Sequence, residues 1–558
     1  MQLQGVGIGR GLAVGPVLRM PDPLPEPSDA RSTLTADAEQ ERAAGALATT
    51  AALVRARGER AGGTAKDVLE AQALMVEDPT LGADVTARIQ SGKTAERAVF
   101  EAFARFRDLL SGMGGYMGER AADLDDVSQR VIAQLAGVPA PGVPDPDYPF
   151  VLFARDLAPA DTALLDLDKI IALVTSEGGP TSHTAILARE KSIVAVVGAV
   201  GFDRSSVMQV DDGTVVIVDA ASGHVTVDPS PDQLEAAHAR LMARADEEPA
   251  PIGPGALADG TAIPLLANLG SAGHSAGAAE EAIALGAEGV GLFRTEFLFL
   301  DSTKAPTVAE QQEHYTRLLQ AFAGQKVVVR ALDAGADKPL SFLNASPEEN
   351  PALGLRGLRA LRANEQILRD QLTALANADV VTDAELWVMA PMVSTVEEAR
   401  YFTRMAREAG LRMAGVMVEV PSSALLADRI LAEADFASIG TNDLTQYTLA
   451  ADRLLGSVAA FQDPWHPAVL RLVGEVGRAG AALDKPVGIC GEAAADPLLA
   501  VVLVGLGATS LSMSPSALAD VRAELRRFTL EQAREFAAVA LSANSAIEAR
   551  AAVLAAQT

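Results

Sequence analysis

The chain has 558 residues, 49% of them hydrophobic and 21% charged, which excludes a disordered chain and allows three or four packed domains. A net charge of −27 excludes nonspecific nucleic-acid binding, which needs a basic surface, and admits a cation or a basic partner. The single cysteine, Cys490, excludes a disulfide within the chain and fits a reducing compartment.

Residues 1–20 read as a glycine-rich strand region. GVGIGRG looks like a nucleotide loop, but no clear helix follows it, which argues against a dinucleotide fingerprint. PDPLPEPSD is a linker. From Thr35 to Ala136 apolar residues recur at spacings of three and four, broken at GERAGG, EDPT, QSGKT and SGMGG. That pattern predicts several helices in a bundle.

From Phe150 to Val227 short apolar runs (PFVLFA, KIIALVT, SIVAVVG, TVVIVDA) alternate with helix, as in a small α/β domain. The N-terminal strand region is a candidate to join it, which makes the bundle an insertion. A charged helix over 232–248 and the linker PAPIGPG follow. No signal-peptide segment or bilayer-spanning apolar run is seen, so a soluble cytoplasmic protein without membrane insertion is expected.

From Ala256 the rhythm is regular. IPLLANL, GVGLFRTE, KVVVRALD, LWVMAPMV, GVMVEV, FASIGTND, PVGICGE and TSLSMS read as eight strands separated by helices. Eight β–α units with near-continuously apolar strands predict a TIM barrel. Its C-terminal rim would collect Asn268, Arg294, Glu296, Arg330, Asp333, Glu419, Asn442, Asp443, Cys490 and Glu492.

Several arginines converge on that rim: Arg294, Arg330, Arg356 and Arg453. Guanidinium forks match phosphate and carboxylate oxygens. Glu419 and Asp443 are oxygen ligands of the kind Mg²⁺ prefers. A small, phosphorylated anion is the expected substrate. Cys490 is either a small buried hydrophobe or a proton donor to a carbon centre.

EGGPTSHTAILARE places His183 between a Gly178–Gly179 turn and a helix start. Thr181 or Ser182 can cap that helix, with Ile186 and Leu187 packing inward. An anion on His183 would meet orphan N–H groups and the positive end of the helix dipole. The imidazole is also a usable nucleophile near neutral pH.

GGPTSHTAILARE resembles the phosphohistidine signature of the phosphoenolpyruvate-utilising enzymes. GVGLFRTEFLF, VVVRALDAGADK, ENPALGLRGLR, GVMVEVPSS, SIGTNDLTQYTLAADR and GICGEAAADP resemble successive barrel motifs of the same superfamily. Order, spacing and length are similar to the Enzyme I family of the bacterial sugar phosphotransferase system, over nearly the whole chain. GVGIGRGLAVGPV resembles that family's first strand region, and EAQALMVEDPTL with GERAADLDDVSQR its carrier-binding insertion.

The resemblance implies a multidomain α/β chain. A swivelling phosphohistidine domain (1–20 plus 146–227) would carry a helical-bundle insertion (21–145) that binds the carrier HPr. A linker helix and hinge (228–255) and a C-terminal (β/α)8 TIM barrel (256–558) binding phosphoenolpyruvate would follow. It implies phosphorylation of His183 at Nε2, and substrate contacts from Arg294, Arg330, Asn442, Asp443, Arg453, Arg356 and Lys338. It implies Mg²⁺ on Glu419 and Asp443, Cys490 as the acid that yields pyruvate, and a homodimer through the barrel. Pro180 departs from the pattern, since several family members carry arginine there. ATP-dependent relatives share these motifs but add a large ATP-binding domain, and no P-loop stands here. A non-catalytic phospho-regulator is the other alternative, and the intact residue set argues against it.

Overall fold

The computed structural model describes residues 2–557 apart from 9–10, 22–23, 62–69, 71, 114–120, 139, 156, 158–164, 167–168, 178–183, 186–187, 189–192, 202–208, 221, 246–251, 271–275, 301–303, 335–339, 341, 344–347, 454–457 and 459–460. The chain divides into two compact units, one before residue 244 and one from Arg244 to Thr558.

The first unit contains a helical bundle and a seven-stranded closed sheet. The bundle is built from α1 (Ala36–Ala61), α2 (Pro79–Gln90), α3 (Ala95–Met113) and α4 (Ala121–Ala136). The EDPT break has a local cause. Asp78 caps α2 by accepting the N–H groups of Thr80 and Leu81, and Pro79 takes the first helical position, where no N–H is needed. Leu81, Val85 and Ile89 follow at helical spacing and join Val99, Phe103, Val127 and Val131 in the bundle core.

The sheet runs β1-β5-β4-β3-β2-β6-β7, and β7 closes it by pairing with β1. Its strands are β1 (Gln2–Ile8), β2 (Leu12–Arg19), β3 (Phe150–Ala154), β4 (Ile170–Thr175), β5 (Val194–Gly201), β6 (Val215–Asp219) and β7 (His224–Val227). β2 to β5 pair in parallel, and the remaining pairs are antiparallel. The N-terminal strand region therefore pairs with the strands beyond the bundle.

Every residue of β3 is buried, and the period-two alternation shows why. Val151 and Phe153 enter one apolar cluster, while Phe150, Leu152 and Ala154 enter another on the opposite face. The sequence reading missed β7. HVTV has only four residues and depends on the turn at Gly223, where φ is 70° and a Cβ would stand 2.2 Å from the Gly5 carbonyl oxygen. The charged helix spans Pro231–Ala245 (α5).

The second unit is a closed barrel of eight strands in chain order, each parallel to its neighbours. They are β8 (Leu265–Leu269), β9 (Gly289–Arg294), β10 (Lys326–Arg330), β11 (Glu385–Ala390), β12 (Ala414–Val418), β13 (Ala437–Ile439), β14 (Val487–Ile489) and β15 (Ser510–Met513). Six of the eight lie within the runs read from the sequence, and β11 and β12 begin one residue before theirs, at Glu385 and Ala414. Capping boxes at Thr307, Thr395 and Thr529 start three of the outer helices. Among the described residues no helix is long and apolar enough to cross a membrane.

One close contact in the outer layer has a testable consequence. In helix α6 (Pro467–Leu483), a Cβ at Gly477 would lie 2.0 Å from the Leu506 carbonyl oxygen and 3.0 Å from Gly507 Cα. Backbone cannot yield as a side-chain tip can. Gly477→Ala is expected to cost about 1–3 kcal/mol through overpacking. Both tryptophans, Trp387 and Trp465, lie in the barrel unit, so their fluorescence in a urea titration reads this directly. An unchanged midpoint would show that the two segments slide apart freely.

Candidate active site

The C-terminal ends of the barrel strands bring most of the expected rim residues together. Arg330 ends β10 and is buried. Its Nη2 donates to Glu296, its Nη1 lies 3.2 Å from Asp333 Oδ2, and Nη1 also approaches the Met417 sulfur at 3.7 Å. A second buried arginine, Arg356, donates through Nη2 to the same Asp333 oxygen at 3.2 Å. Its Nη1 reaches Asp443 Oδ1 and the Tyr447 hydroxyl, each at 3.1 Å. Arg453 completes the series, with Nη1 at 3.4 Å from Asp443 Oδ2.

Asp333 thus links Arg330 to Arg356, and Asp443 links Arg356 to Arg453. Burial works against the charge on Arg330 and Arg356. Glu296 with Asp333 for the first, and Asp333 with Asp443 for the second, outweigh it and hold both guanidinium pKa values above the ordinary range. These are not surface ion pairs. Removing one partner would strand a buried charge.

Arg294 differs. It ends β9, is partly exposed, and among the described residues makes no hydrogen bond or ion pair.

Glu419 follows β12 and is buried. Its Oε1 accepts the Met392 N–H at 2.6 Å, an arrangement that uses the left-handed backbone of Met392 at φ 57°. Burial, with Asp443 and then Asp333 nearby, pushes its carboxyl up to about 8, while Arg330 and Arg356 pull the other way. Gly440 faces Glu419, and a Cβ there would stand 2.8 Å from Oε2. Asn442 accepts the Glu492 N–H at 3.0 Å, and Asn268 donates to the Cys490 carbonyl at 3.0 Å. Both asparagines tie neighbouring strand ends together.

Cys490 is buried. It follows β14 within the barrel, packed with Leu292, Val328, Met389 and Met417, and its thiol lies 3.5 Å from the Ile439 carbonyl. Burial pushes the thiol up to about 11, and Glu419 adds to the effect. A Ser438 hydrogen bond and the charges of Arg330 and Arg294 oppose it. The group is therefore both a packed apolar residue and a thiol that keeps its proton at neutral pH.

Because that pKa exceeds the ordinary 9.0, the folded chain retains a proton that the unfolded chain loses. The resulting stability is complete below about pH 9 and fades as pH rises toward 11. Two units correspond to about 3 kcal/mol. Urea unfolding of the native chain is expected to weaken over this window more than that of Cys490→Ala, which lacks the ionisable group. Parallel pH profiles would show that the thiol ionises normally.

Sequence reasoning did not assign Tyr447 or Gln371. Tyr447 stands four residues after Asp443 in the quoted NDLTQYTLAADR run, so helical spacing would have placed it beside Asp443. Gln371 had no local signal. It is fully buried, accepts the Leu332 N–H at 3.0 Å, and donates to Thr295 Oγ1 at 3.2 Å and the Tyr315 hydroxyl at 3.0 Å. Thr295 in turn donates to the Arg330 carbonyl at 3.0 Å, so Gln371 braces the strand end that carries Arg330.

His183 and Lys338 lie outside the described residues, as do Gly178 to Ser182, Ile186 and Leu187. The described residues just after His183 are Thr184 and Ala185. Both are fully buried, and Ala185 joins Ala188 in the cluster on one face of β3.

A closed parallel barrel with converging arginines, paired carboxylates and a protonated thiol at its C-terminal rim defines a TIM-barrel enzyme acting on a small anion. The sequence matches the family description "PEP-utilising enzyme, PEP-binding domain" over residues 245–530. It also matches the corresponding N-terminal region over 4–120 and mobile domain over 146–223. The chain is 53% identical to a phosphoenolpyruvate-protein phosphotransferase of Streptomyces coelicolor, over 98% of each chain. Proteins of the same name from Haloferax volcanii (41%, covering 88% of this chain and 87% of that one) and Geobacillus stearothermophilus (36%, 98% and 96%) are also similar. The chain belongs to the PEP-utilising enzymes, in the phosphoenolpyruvate-protein phosphotransferase branch known as Enzyme I.

Proposed function

We propose that the chain takes the phosphoryl group of phosphoenolpyruvate onto His183 Nε2 and passes it to the histidine of the carrier HPr, releasing pyruvate. This would be the first step of sugar uptake by a phosphotransferase system, in the cytoplasm. The observation that carries the reading is the linked Arg330–Asp333–Arg356–Asp443–Arg453 network, with the Cys490 thiol in the same rim.

Phosphoryl transfer depends on positioning and on neutralising charge. Arg294 and Arg330 would receive the phosphate and carboxylate of the substrate, with Asn442, Asp443, Arg453, Arg356 and Lys338 completing the cradle. Glu419 and Asp443 fit a hard divalent cation. They are oxygen donors, and burial followed by the nearby Asp443 charge raises the cost of ionising Glu419, which Mg²⁺ would relieve. Among the described residues no group of three His, Cys, Asp or Glu side chains is placed to hold a metal ion, so these two carboxylates would be the protein's ligands. A bound Mg²⁺ would neutralise phosphate charge and orient the transferring group.

As the phosphorus leaves the enol oxygen for Nε2, negative charge spreads onto the enolate. Cys490 then gives its proton to the terminal carbon, and pyruvate results. A thiol with a pKa near 11 retains that proton until a carbanion-like carbon demands it. We further propose that residues 1–20 and 146–227 form a phosphohistidine domain that swivels about a hinge in 228–255. In this reading 21–145 docks HPr, and 256–558 binds substrate and forms the homodimer contact.

The test is incubation of the intact chain with labelled phosphoenolpyruvate and Mg²⁺. Acid-labile, base-stable label on the peptide containing His183, with pyruvate released in step, is expected. Pyruvate formation without such label, or transfer that requires ATP, would overturn the proposal.

A further inference from the structure

The barrel interior contains a feature that the proposed chemistry does not use. Along a strand, alternate residues face inward. That places Lys326, Val328 and Arg330 in one inward column on β10, Gly488 and Cys490 on β14, and Ser510 and Ser512 on β15. Barrels of this type usually fill the centre with bulky branched side chains. Here Gly291, Ser438, Gly488, Ser510 and Ser512 stand in their place.

The result is a cavity of about 20 Å³ open to the centre of a water molecule, bounded by these residues together with Lys326 and Trp387. One ordered water needs roughly 10–15 Å³ and a few polar partners. Three buried hydroxyls and an ammonium supply the partners. The glycines keep the space open, since a Cβ at Gly291 would lie 2.4 Å from Ser512 Oγ and one at Gly488 would lie 3.0 Å from Ser510 Oγ.

The cavity has two distinct ends. At one, Ser438 lines the space and pairs in register with Gly488, two residues before Cys490, whose thiol meets the carbonyl of the next residue, Ile439, at 3.5 Å. At the other, the Lys326 ammonium lies 4.2 Å from the centroid of the Trp387 ring. Trp387 Nε1 is held by Glu385 Oε1 at 2.8 Å, and Glu385, the exposed first residue of β11, pairs in register with Lys326. Lys326 is itself only partly covered, so this end reaches solvent at the mouth opposite the rim. Burial lowers the ammonium's hold on its proton, while Glu385 and the Trp387 ring face favour the charged form.

We propose that this cavity is a water-filled proton path that runs from Lys326 through Ser438 to Cys490 and restores the thiol after each turnover. The inference rests on Cys490 being the acid. When its S–H bond breaks and a C–H bond forms on the substrate, a thiolate remains. Ser438 passes its hydroxyl proton to the sulfur and takes one from the cavity water. That water takes one from the Lys326 ammonium, and the Lys326 amine regains a proton from bulk solvent. One solvent proton enters per turnover and nothing is oxidised or reduced. Because the path approaches from the mouth opposite the substrate, the rim need not admit water that would compete for the phosphoryl group.

Isotope washout tests this. The intact chain is equilibrated in D₂O and diluted into H₂O. After a variable delay it is mixed with phosphoenolpyruvate and Mg²⁺, quenched in acid, and the deuterium in the pyruvate methyl group is measured. The native chain should lose its label quickly with delay. Ser438→Ala and Lys326→Met should each retain it at least about tenfold longer, and Ser438→Thr, which keeps the hydroxyl, should restore fast washout. A role confined to packing would alter rates but not the washout delay. Washout equal to native in both Ser438→Ala and Lys326→Met overturns the path. Cys490→Ala separates the two ideas. Unchanged pyruvate formation in that variant defeats the acid assignment itself. Its collapse, alongside native-like washout in the other two, defeats the path alone.

Discussion

Replacing His183 with alanine is expected to leave the chain folded and to reduce phosphate transfer from phosphoenolpyruvate to HPr to background. Removing the imidazole takes away a nucleophile, and a covalent intermediate has no substitute route once its acceptor atom is gone. Folding should be spared because the buried packing of this segment is carried by neighbours. Thr184 and Ala185 are fully buried and Ala188 nearly so, with both alanines set against β3. The measurement is labelled-phosphate transfer to HPr, with circular dichroism as the folding control. Transfer persisting in a folded His183→Ala chain would place the acceptor elsewhere and remove the basis of the proposed function.

The second large effect is expected from Arg356→Ala, and it should appear in stability as well as activity. Arg356 holds Asp333 at 3.2 Å and Asp443 at 3.1 Å, and it is almost fully buried. Deleting it leaves Asp333 with Arg330 alone, Asp443 with the more exposed Arg453 alone, and Glu419 with Arg330 as its remaining compensating charge. Breaking one side of a buried ion pair typically costs about 3–5 kcal/mol. Urea unfolding followed through Trp387 and Trp465 reads the barrel alone.

The double variant Arg356→Ala with Asp443→Asn removes one stranded charge and should recover part of the loss. It should not recover kcat/KM for phosphoenolpyruvate, because the guanidinium fork and a proposed metal ligand are both gone. A non-additive cycle of this kind is the signature of direct coupling. If the two stability losses simply add, the contacts among Arg356, Asp333 and Asp443 contribute little. The pattern of kcat and KM then matters. A rise in KM alone would assign Arg356 to substrate binding, and a fall in kcat would assign it to the transition state.

How far these residues were legible in the sequence depended on how local their signals are. The eight barrel strands could be read because parallel strands buried on both faces leave unbroken apolar runs. Polar residues near the ends of six of these runs marked the rim. β7 could not be read, because four residues of HVTV carry too little pattern and acquire strand geometry only by pairing with β1 and β6. Tyr447 was within reach through its spacing from Asp443. Gln371 was not, because its partners Leu332, Thr295 and Tyr315 are separated from it by 39 to 76 residues.

By itself the sequence determined the alternation of strands and helices, the set of ionisable groups at the strand ends, and membership of a family through motifs that recur in order. Those properties are written in neighbouring residues. Only the tertiary structure decided how the charges pair. It made Asp333 and Asp443 shared acceptors of two arginines each, left Arg294 without a partner among the described residues, and buried Glu419 among acids so that its carboxyl is pushed up to about 8. It also turned Cys490 inward beside Ser438 and a hydroxyl-lined cavity. The physical reason is that burial and Coulomb energy depend on distance through space. Closing a sheet brings together groups that the chain holds far apart.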